Sequence, residues 1–174
     1  MGDKVKMNLS DRFEFRNVKL EEAQEVADIE SICFPPHEAC SKKDMYERVE
    51  RASELFLVAV DKENGKIAGF LNGLATNEMN FRDEFFTDAK VNEANGKNIF
   101  LLGLDVRPEY RMQGLARELM RQYVLREQAK GRKMLKLTCL EQKVEMYKKM
   151  GYQDEGISAS VWGNEVWHEM RYIL

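Results

Sequence analysis

An α/β domain with a mixed central β-sheet flanked by helices is the fold class this sequence predicts, and three observations carry it. Apolar residues switch along the chain between strict alternation and helical spacing. A buried apolar run, Ile99 to Val106, is followed by a turn, an amphipathic helix and a second apolar run, Met134 to Leu140. A strand–helix–strand unit of that kind makes its two strands parallel. Asn64-Gly65 is a strong short hairpin signal, so other neighbours must be antiparallel. A sheet holding both is mixed, and the elements read in the order β-α-α-β-β-β-α-β-α-β-β.

Each element has a local reason. Arg12 to Val18 places Phe13, Phe15 and Val18 in an alternating, strand-like pattern. Leu20 to Cys33 carries Ala23, Val26, Ala27, Ile29 and Ile32 at helical spacing, and Phe34-Pro35-Pro36 stops it, because a residue before proline avoids the helical region. Ser41 and Asp44 form a cap for the next helix, with Met45, Tyr46 and Val49 on one side. Leu55 to Val60 and Lys66 to Ala75 are the arms of the hairpin. Thr76 to Asn98 is polar with aromatic residues at 81, 85 and 86; a loop that long is often functional, and a short helix over a pocket suits it. Gly114 to Lys130 is the amphipathic helix, ended by Gly131. Glu141 to Met150 is a short helix closed by Gly151. Tyr152 to Val161 and Glu165 to Leu174 read as a final antiparallel pair, turned at Trp162-Gly163-Asn164.

Bulk properties bound the function. The 174 residues suit one domain, spanning 12–174 after a flexible, polar N-terminus at 1–11. A net charge of −3 argues against wholesale nucleic-acid binding. No apolar run is long enough to span a membrane, and the N-terminus lacks a signal core. Three cysteines, Cys33, Cys40 and Cys139, with no C-x-x-C pair, fit neither a disulfide framework nor a zinc site. A cytoplasmic protein with reduced thiols, no metal, and a monomeric or homodimeric state is expected. Cys139 reads as a core residue.

The chemistry starts at Arg111-Met112-Gln113-Gly114-Leu115-Ala116, a Gln/Arg-x-x-Gly-x-Gly/Ala pattern placed after a buried strand and opening a helix. The first turn of a helix has unpaired N–H groups and a partial positive charge. Small residues at 114 and 116 let a ligand approach that backbone, so the turn can cradle a pyrophosphate. No Gly-Lys-Ser/Thr follows, which excludes a Walker loop, and a missing glycine excludes the dinucleotide fingerprint. Gly103, alone in the preceding strand, suggests a bulge or a close backbone approach. A second motif, Glu145-Met146-Tyr147-Lys148-Lys149-Met150-Gly151-Tyr152, lies on the short helix after the next strand.

Both motifs together, from Ile99 to Tyr152, resemble the GNAT superfamily of acetyl-CoA-dependent N-acetyltransferases. Over the rest of the chain the sequence more weakly resembles the arylalkylamine (serotonin-type) branch, through Ile29-Glu30-Ser31-Ile32-Cys33-Phe34 and Gly156-Ile157-Ser158-Ala159-Ser160-Val161-Trp162-Gly163. The resemblance implies transfer of an acetyl group from acetyl-CoA to a primary amine in a ternary complex. Leu104, Asp105 and Val106 would hold the pantetheine arm through their backbones, with a bulge aiming an N–H at the thioester carbonyl, where negative charge develops. Met112, Gln113, Gly114, Leu115, Ala116 and Arg117 would hold the pyrophosphate, with Arg111 beside them and Thr138 in the next strand. Tyr147 matches the tyrosine that protonates the departing thiolate; a phenol keeps its proton at neutral pH. Lys148 and Lys149 read as a solvated face. Phe34 and Trp167 fall where that branch places aromatic groups around its amine, and Ser41 stands in place of a proline.

The branch's two base histidines are absent: Phe100 and Leu102 stand in their places. His37 and His168, the two histidines of the chain, read as surface or turn residues. A water relayed by a carboxylate such as Glu38 is one alternative base. Glu30, Glu38 and the acidic stretch from 78 to 88 keep a polyamine acceptor open, and a protein or peptide amine, or a non-catalytic acyl-CoA-binding module, remain as rivals.

Overall fold

The computed structural model describes residues 8–174. Of the expected flexible stretch, 1–7 lie outside the described residues, whereas Leu9–Arg12 form one helical turn, α1, capped by the Asn8 side chain. The chain then runs β1 (Phe13–Asn17), α2 (Ala23–Cys33), α3 (Lys42–Arg51), β2 (Phe56–Asp61), β3 (Ile67–Thr76), α4 (Glu84–Thr87), β4 (Asn98–Val106), α5 (Leu115–Ala129), β5 (Met134–Cys139), α6 (Val144–Lys149), β6 (Gln153–Ile157) and β7 (His168–Ile173). The expected order is met, with α1 and α4 added. Ser41 caps α3 as expected, its hydroxyl accepting from the Asp44 N–H at 3.1 Å.

The strands form one seven-stranded sheet in the order β1-β2-β3-β4-β5-β7-β6. Among the described residues only β4 and β5 are parallel; every other pair is antiparallel. The sheet is sandwiched. Phe56, Val58 and Val60 of β2 face α2 and α3, packing with Val26, Ile29, Met45 and Val49. Leu57 and Ala59, one residue out of phase, join the opposite core, where α5 contributes Leu115, Leu119, Met120 and Tyr123. Both faces of β2 are thus buried, which is why its sequence is a near-continuous apolar run.

Two irregularities prepare the site. First, β3 and β4 shift register: Asn72 faces Gly103 while Gly73 faces Leu101, so Leu102 is an extra residue on β4. This is a β-bulge beside the glycine that suggested one. Second, β4 and β5 pair only over Asn98–Phe100 and Met134–Lys136. Beyond Phe100 the two strands part, and among the described residues no strand fills the gap.

The final antiparallel pair is shorter than its sequence suggests. Ser158 to Trp167 leaves the sheet as a loop containing the turn at Trp162–Asn164. The β6–β7 register breaks between Asp154 and Ile157, and the loop is drawn elsewhere. Asp83 accepts hydrogen bonds from the Ser160 hydroxyl and, at 3.1 Å, from the Val161 N–H. The Trp162 ring lies 4.9 Å from that of Phe86, and its indole N–H donates to the Glu38 carbonyl at 2.9 Å.

Candidate active site

The gap between β4 and β5 opens into a cavity of about 500 Å³. Its walls come from β4 (Leu101 to Leu104, Val106), the end of β5 (Leu137 to Cys139), α6 (Met146, Tyr147) and the segment from Cys33 to Cys40. Phe86, Trp162 and Trp167 complete it. Among the residues expected to bind ligands, the fold brings together Phe34, Leu104, Val106, Arg111, Ala116, Thr138, Tyr147 and Trp167. It sets Asp105 and Leu115 apart: the Leu115 side chain is an anchor in the core, and Asp105 is buried behind the strand. Met112, Gln113, Gly114 and Arg117 are exposed on the turn around the start of α5.

That turn carries two residues of unusual backbone. Met112 (φ 61°) and Gly114 (φ 82°) are both left-handed, and such alternations gather successive N–H groups on one side. A β-carbon built on Gly114 would have open space, with Leu9 Cδ1 nearest at 4.0 Å, so it is the backbone shape and not crowding that asks for glycine. Gln113 is tied to Arg12, whose guanidinium donates to it at 2.6 Å. Arg111 donates to the Val106 carbonyl at 3.0 Å, and the Cys33 thiol reaches the same oxygen at 3.4 Å.

Tyr147 packs edge-on against Tyr152, ring centres 5.6 Å apart. Gly151, with φ 102°, lies so close to Tyr172 that a β-carbon there would sit 2.8 Å from its ring. This fixes the end of α6 and the direction of Tyr147. Burial pushes the Tyr147 phenol above its usual value, with Cys139 and Asp105 adding to the shift, so it stays protonated.

Neither histidine lines the cavity, and His168 is half-buried on β7 where a surface or turn residue was expected. His37 is exposed and pairs with Glu165 at 3.1 Å; His168 faces Asp154 at 3.2 Å, away from the cavity. Cys139 is buried as expected and also forms part of the cavity wall, where burial pushes its thiol up to about 11. Cys40 is pushed up to about 12, mainly by burial. Neither is poised as a thiolate.

Two features of this cavity go beyond what the sequence pointed to, although Glu30 stood there already as an acidic residue suited to a polyamine. Trp162, read as part of a turn, is an aromatic wall; nothing local signals that its loop folds over Phe86. The other is a buried polar cluster of Glu30, Arg48, Asn72 and Asp105. It did leave a signal: Glu30 sits on the Ala23–Val26–Ala27 stripe of α2, and Arg48 beside Met45 and Val49 on that of α3, both inward faces.

Comparison with known proteins agrees with this architecture. The family model described as the acetyltransferase (GNAT) family matches residues 23–152. No curated protein matches the chain in sequence. Among solved structures, the loading GNATL domain of CurA from Lyngbya majuscula has a TM-score of 0.80 at 13% identity, covering 92% of this chain and 97% of that one. Ard1 from Thermoplasma volcanium gives 0.73 at 14%, covering 94% and 98%. The PaiA N-acetyltransferase from Thermoplasma acidophilum, solved in complex with coenzyme A, gives 0.68 at 17%, covering 93% and 99%. The structural matches establish a shared fold; with the family model spanning most of the domain, this chain belongs to the GNAT family of acetyltransferases.

Proposed function

We propose that this chain moves the acetyl group of acetyl-CoA to a primary amine by direct attack in a ternary complex. The acceptor we favour has a flat or apolar body, as in the arylalkylamines. One observation carries the reading: a single cavity contains both the open side of β4 and three aromatic walls, Phe34, Trp162 and Trp167. Both substrates can therefore meet without leaving the protein. The free cysteines fit work in the cytoplasm.

The residues present fit acetyl-CoA. The left-handed turn at 112–114 and the start of α5 would take the pyrophosphate, and the free side of β4 would take the pantetheine arm as an added strand. When bound, acetyl-CoA supplies a thioester carbon open to an amine. The bulge at Leu102 would turn a backbone N–H of β4 toward the carbonyl oxygen, in a site screened from water. Tyr147, protonated and facing the same space, would give its proton to the departing sulfur. The aromatic walls would hold the body of the amine by stacking and cation–π attraction.

The test is CoA-thiol release from acetyl-CoA across arylalkylamines, polyamines and peptides with free lysine or N-terminal amines. Amine-dependent release is expected, fastest with phenethylamine-like acceptors. Acetyl-CoA binding with no release on any amine would overturn the transferase reading. For the cradle, Gly114→Val forces a β-branched side chain into a left-handed backbone, at about 1–2 kcal/mol. The turn should reshape rather than bear it. Calorimetry should show roughly tenfold weaker acetyl-CoA binding, equivalent to ~1.4 kcal/mol, with little change in Tm.

A further inference from the structure

The hydrogen bonds of the polar cluster beneath the cavity leave several of its buried polar atoms unaccounted for. Asp105 is 1% exposed and Glu30 is 4% exposed. Both Asp105 carboxylate oxygens, Glu30 Oε2 and Arg48 Nε have no hydrogen-bond partner among the described residues. Arg48 spends its other nitrogens on the Phe86 carbonyl at 2.8 Å and on Asn72 at 3.4 Å. Native proteins rarely leave so many buried polar atoms unpaired in one place, and such groups call for a ligand or a chemical role.

The geometry says where that ligand would sit. A β-carbon built on Gly103 would lie 3.1 Å from Asp105 Oδ1, 3.2 Å from Asn72 Nδ2 and 3.8 Å from Glu30 Oε2. The cluster therefore converges on the one residue of the bulged segment that has no side chain. Any side chain at 103 would cover the carboxyl groups. Glycine leaves Glu30 open to the part of β4 that would carry the thioester. Glu30 and Arg48 both line the cavity, whereas Asp105 does not.

Charge counting narrows the chemistry. Two carboxyl groups face one guanidinium in a space closed to bulk water. Two carboxylates in such a site cannot both stay ionised, so the pair shares one proton and the cluster is neutral overall. A primary ammonium has three N–H donors and no acceptor, the complement of the carboxyl lone pairs that the shared proton leaves free.

We propose that Glu30 is the catalytic base of this enzyme: it binds the acceptor ammonium at the Gly103 bulge and takes its proton, with Asp105 and Arg48 as positioning residues. The inference rests on the acetyl-transfer reading above. The ammonium gives one N–H proton to the Glu30 carboxylate and becomes a neutral amine. Its lone pair forms the N–C bond to the acetyl carbon as the C–S bond breaks. Tyr147 protonates the leaving sulfur and regains a proton from the nitrogen as the amide forms. The proton on Glu30 returns to solvent when the product leaves. No other reactant is needed.

Burial pushes Glu30 above the usual carboxylate range, against the pull of Arg48. Asp105 is pushed well above it, first by burial and then by the charges of Glu30 and Cys33, again against Arg48. The groups facing Glu30 are Asp105 from β4, Cys33 from its own helix, Arg48 from α3 and Cys40 from the preceding loop, with Arg111 behind Cys33. A raised acid binds more protons folded than unfolded. Its stability contribution is therefore full below about pH 4 and is lost as pH rises toward the folded value.

Three measurements on wild type, Glu30→Gln, Asp105→Asn and Glu38→Gln test this. In the ligand-free proteins, urea unfolding between pH 4 and 9 should show wild type losing stability relative to Glu30→Gln as pH rises; parallel curves would overturn the shared-proton pair. In the CoA-loaded proteins, calorimetric titration with phenethylamine and with spermidine should show binding that Glu30→Gln weakens at least tenfold; equal binding in wild type and variant would overturn the ammonium site, even if no acetyl transfer were found. With acetyl-CoA, Glu30→Gln should lose about 10²-fold in kcat/KM for the amine at pH 7. That loss should shrink as pH approaches the amine's own pKa near ~10, with KM for acetyl-CoA unchanged. Asp105→Asn should lower kcat/KM for the amine less than Glu30→Gln does, with its acid limb moved to lower pH. Normal transfer and an unchanged pH profile in Glu30→Gln, or loss confined to Glu38→Gln, would overturn the assignment while leaving the transferase reading intact.

Discussion

Replacing Tyr147 with phenylalanine should lower kcat by on the order of 10²-fold, the lower end of what a positioned general acid contributes, while acetyl-CoA affinity and Tm stay nearly unchanged. The reason lies in what the hydroxyl does not do. It makes no hydrogen bond among the described residues, although the hydroxyls of Tyr152, Tyr123 and Tyr110 each have a partner. The ring, by contrast, packs edge-on with Tyr152, and phenylalanine keeps that contact. The variant therefore removes a proton donor and little else. Because burial raises the phenol above its usual value, wild-type activity should show no alkaline loss from this group below about pH 10. Steady-state kinetics with calorimetric acetyl-CoA binding checks both points. Full turnover in the variant would remove Tyr147 from the chemistry.

Phe100→Ala should cost about 3–5 kcal/mol of stability. Phe100 is completely buried, with Phe85 edge-on at 4.7 Å and Phe81 at 5.4 Å. These three rings tie the loop before β4 to the sheet. Phe100 also forms the last parallel pair of β4 with β5, opposite Lys136, at the point where the strands part. Loss of the ring would leave a cavity there and loosen the hinge of the site. Thermal unfolding should fall by roughly 10 °C, since each kcal/mol shifts Tm by about 2–4 °C in a domain of this size. A milder Phe100→Leu should recover most of it. The position also explains why a base histidine has no place here: its side chain points into packed aromatic rings and not into the cavity.

What the sequence revealed divides along physical lines. Elements governed by neighbours in the chain were legible. Alternation gave β1, the 3.6-residue stripe gave α2, α3 and α5, and Asn64-Gly65 gave the β2–β3 hairpin. Gly114 marked the opening of α5 as room for a ligand, although its left-handed backbone emerged only in the fold, and the lone Gly103 marked the bulge. Elements governed by distant partners were not legible. The loop carrying Trp162 is set by Asp83 and Phe86, about eighty residues earlier in the chain, so local pattern extended the last two strands through it. The Glu30 cluster joins α2, α3, β3 and β4, and no single segment shows that its charged residues meet. The two inward-facing charges on otherwise apolar stripes were the only trace.

The strand order has a consequence for how the chain comes to be folded. Strand β7, which follows β6 in the chain, lies between β5 and β6 and is the only partner of β6 among the described residues. During synthesis β6 can find no register until His168–Ile173 have emerged, and β5 keeps an unpaired edge over the same interval. The wall that bears Thr138 and Cys139 is thus among the last parts of the sheet to close. A nascent chain halted before β7 would display a row of open backbone groups, the kind of edge that recruits other chains. Pairing of β6, and of the outer edge of β5, therefore waits on β7.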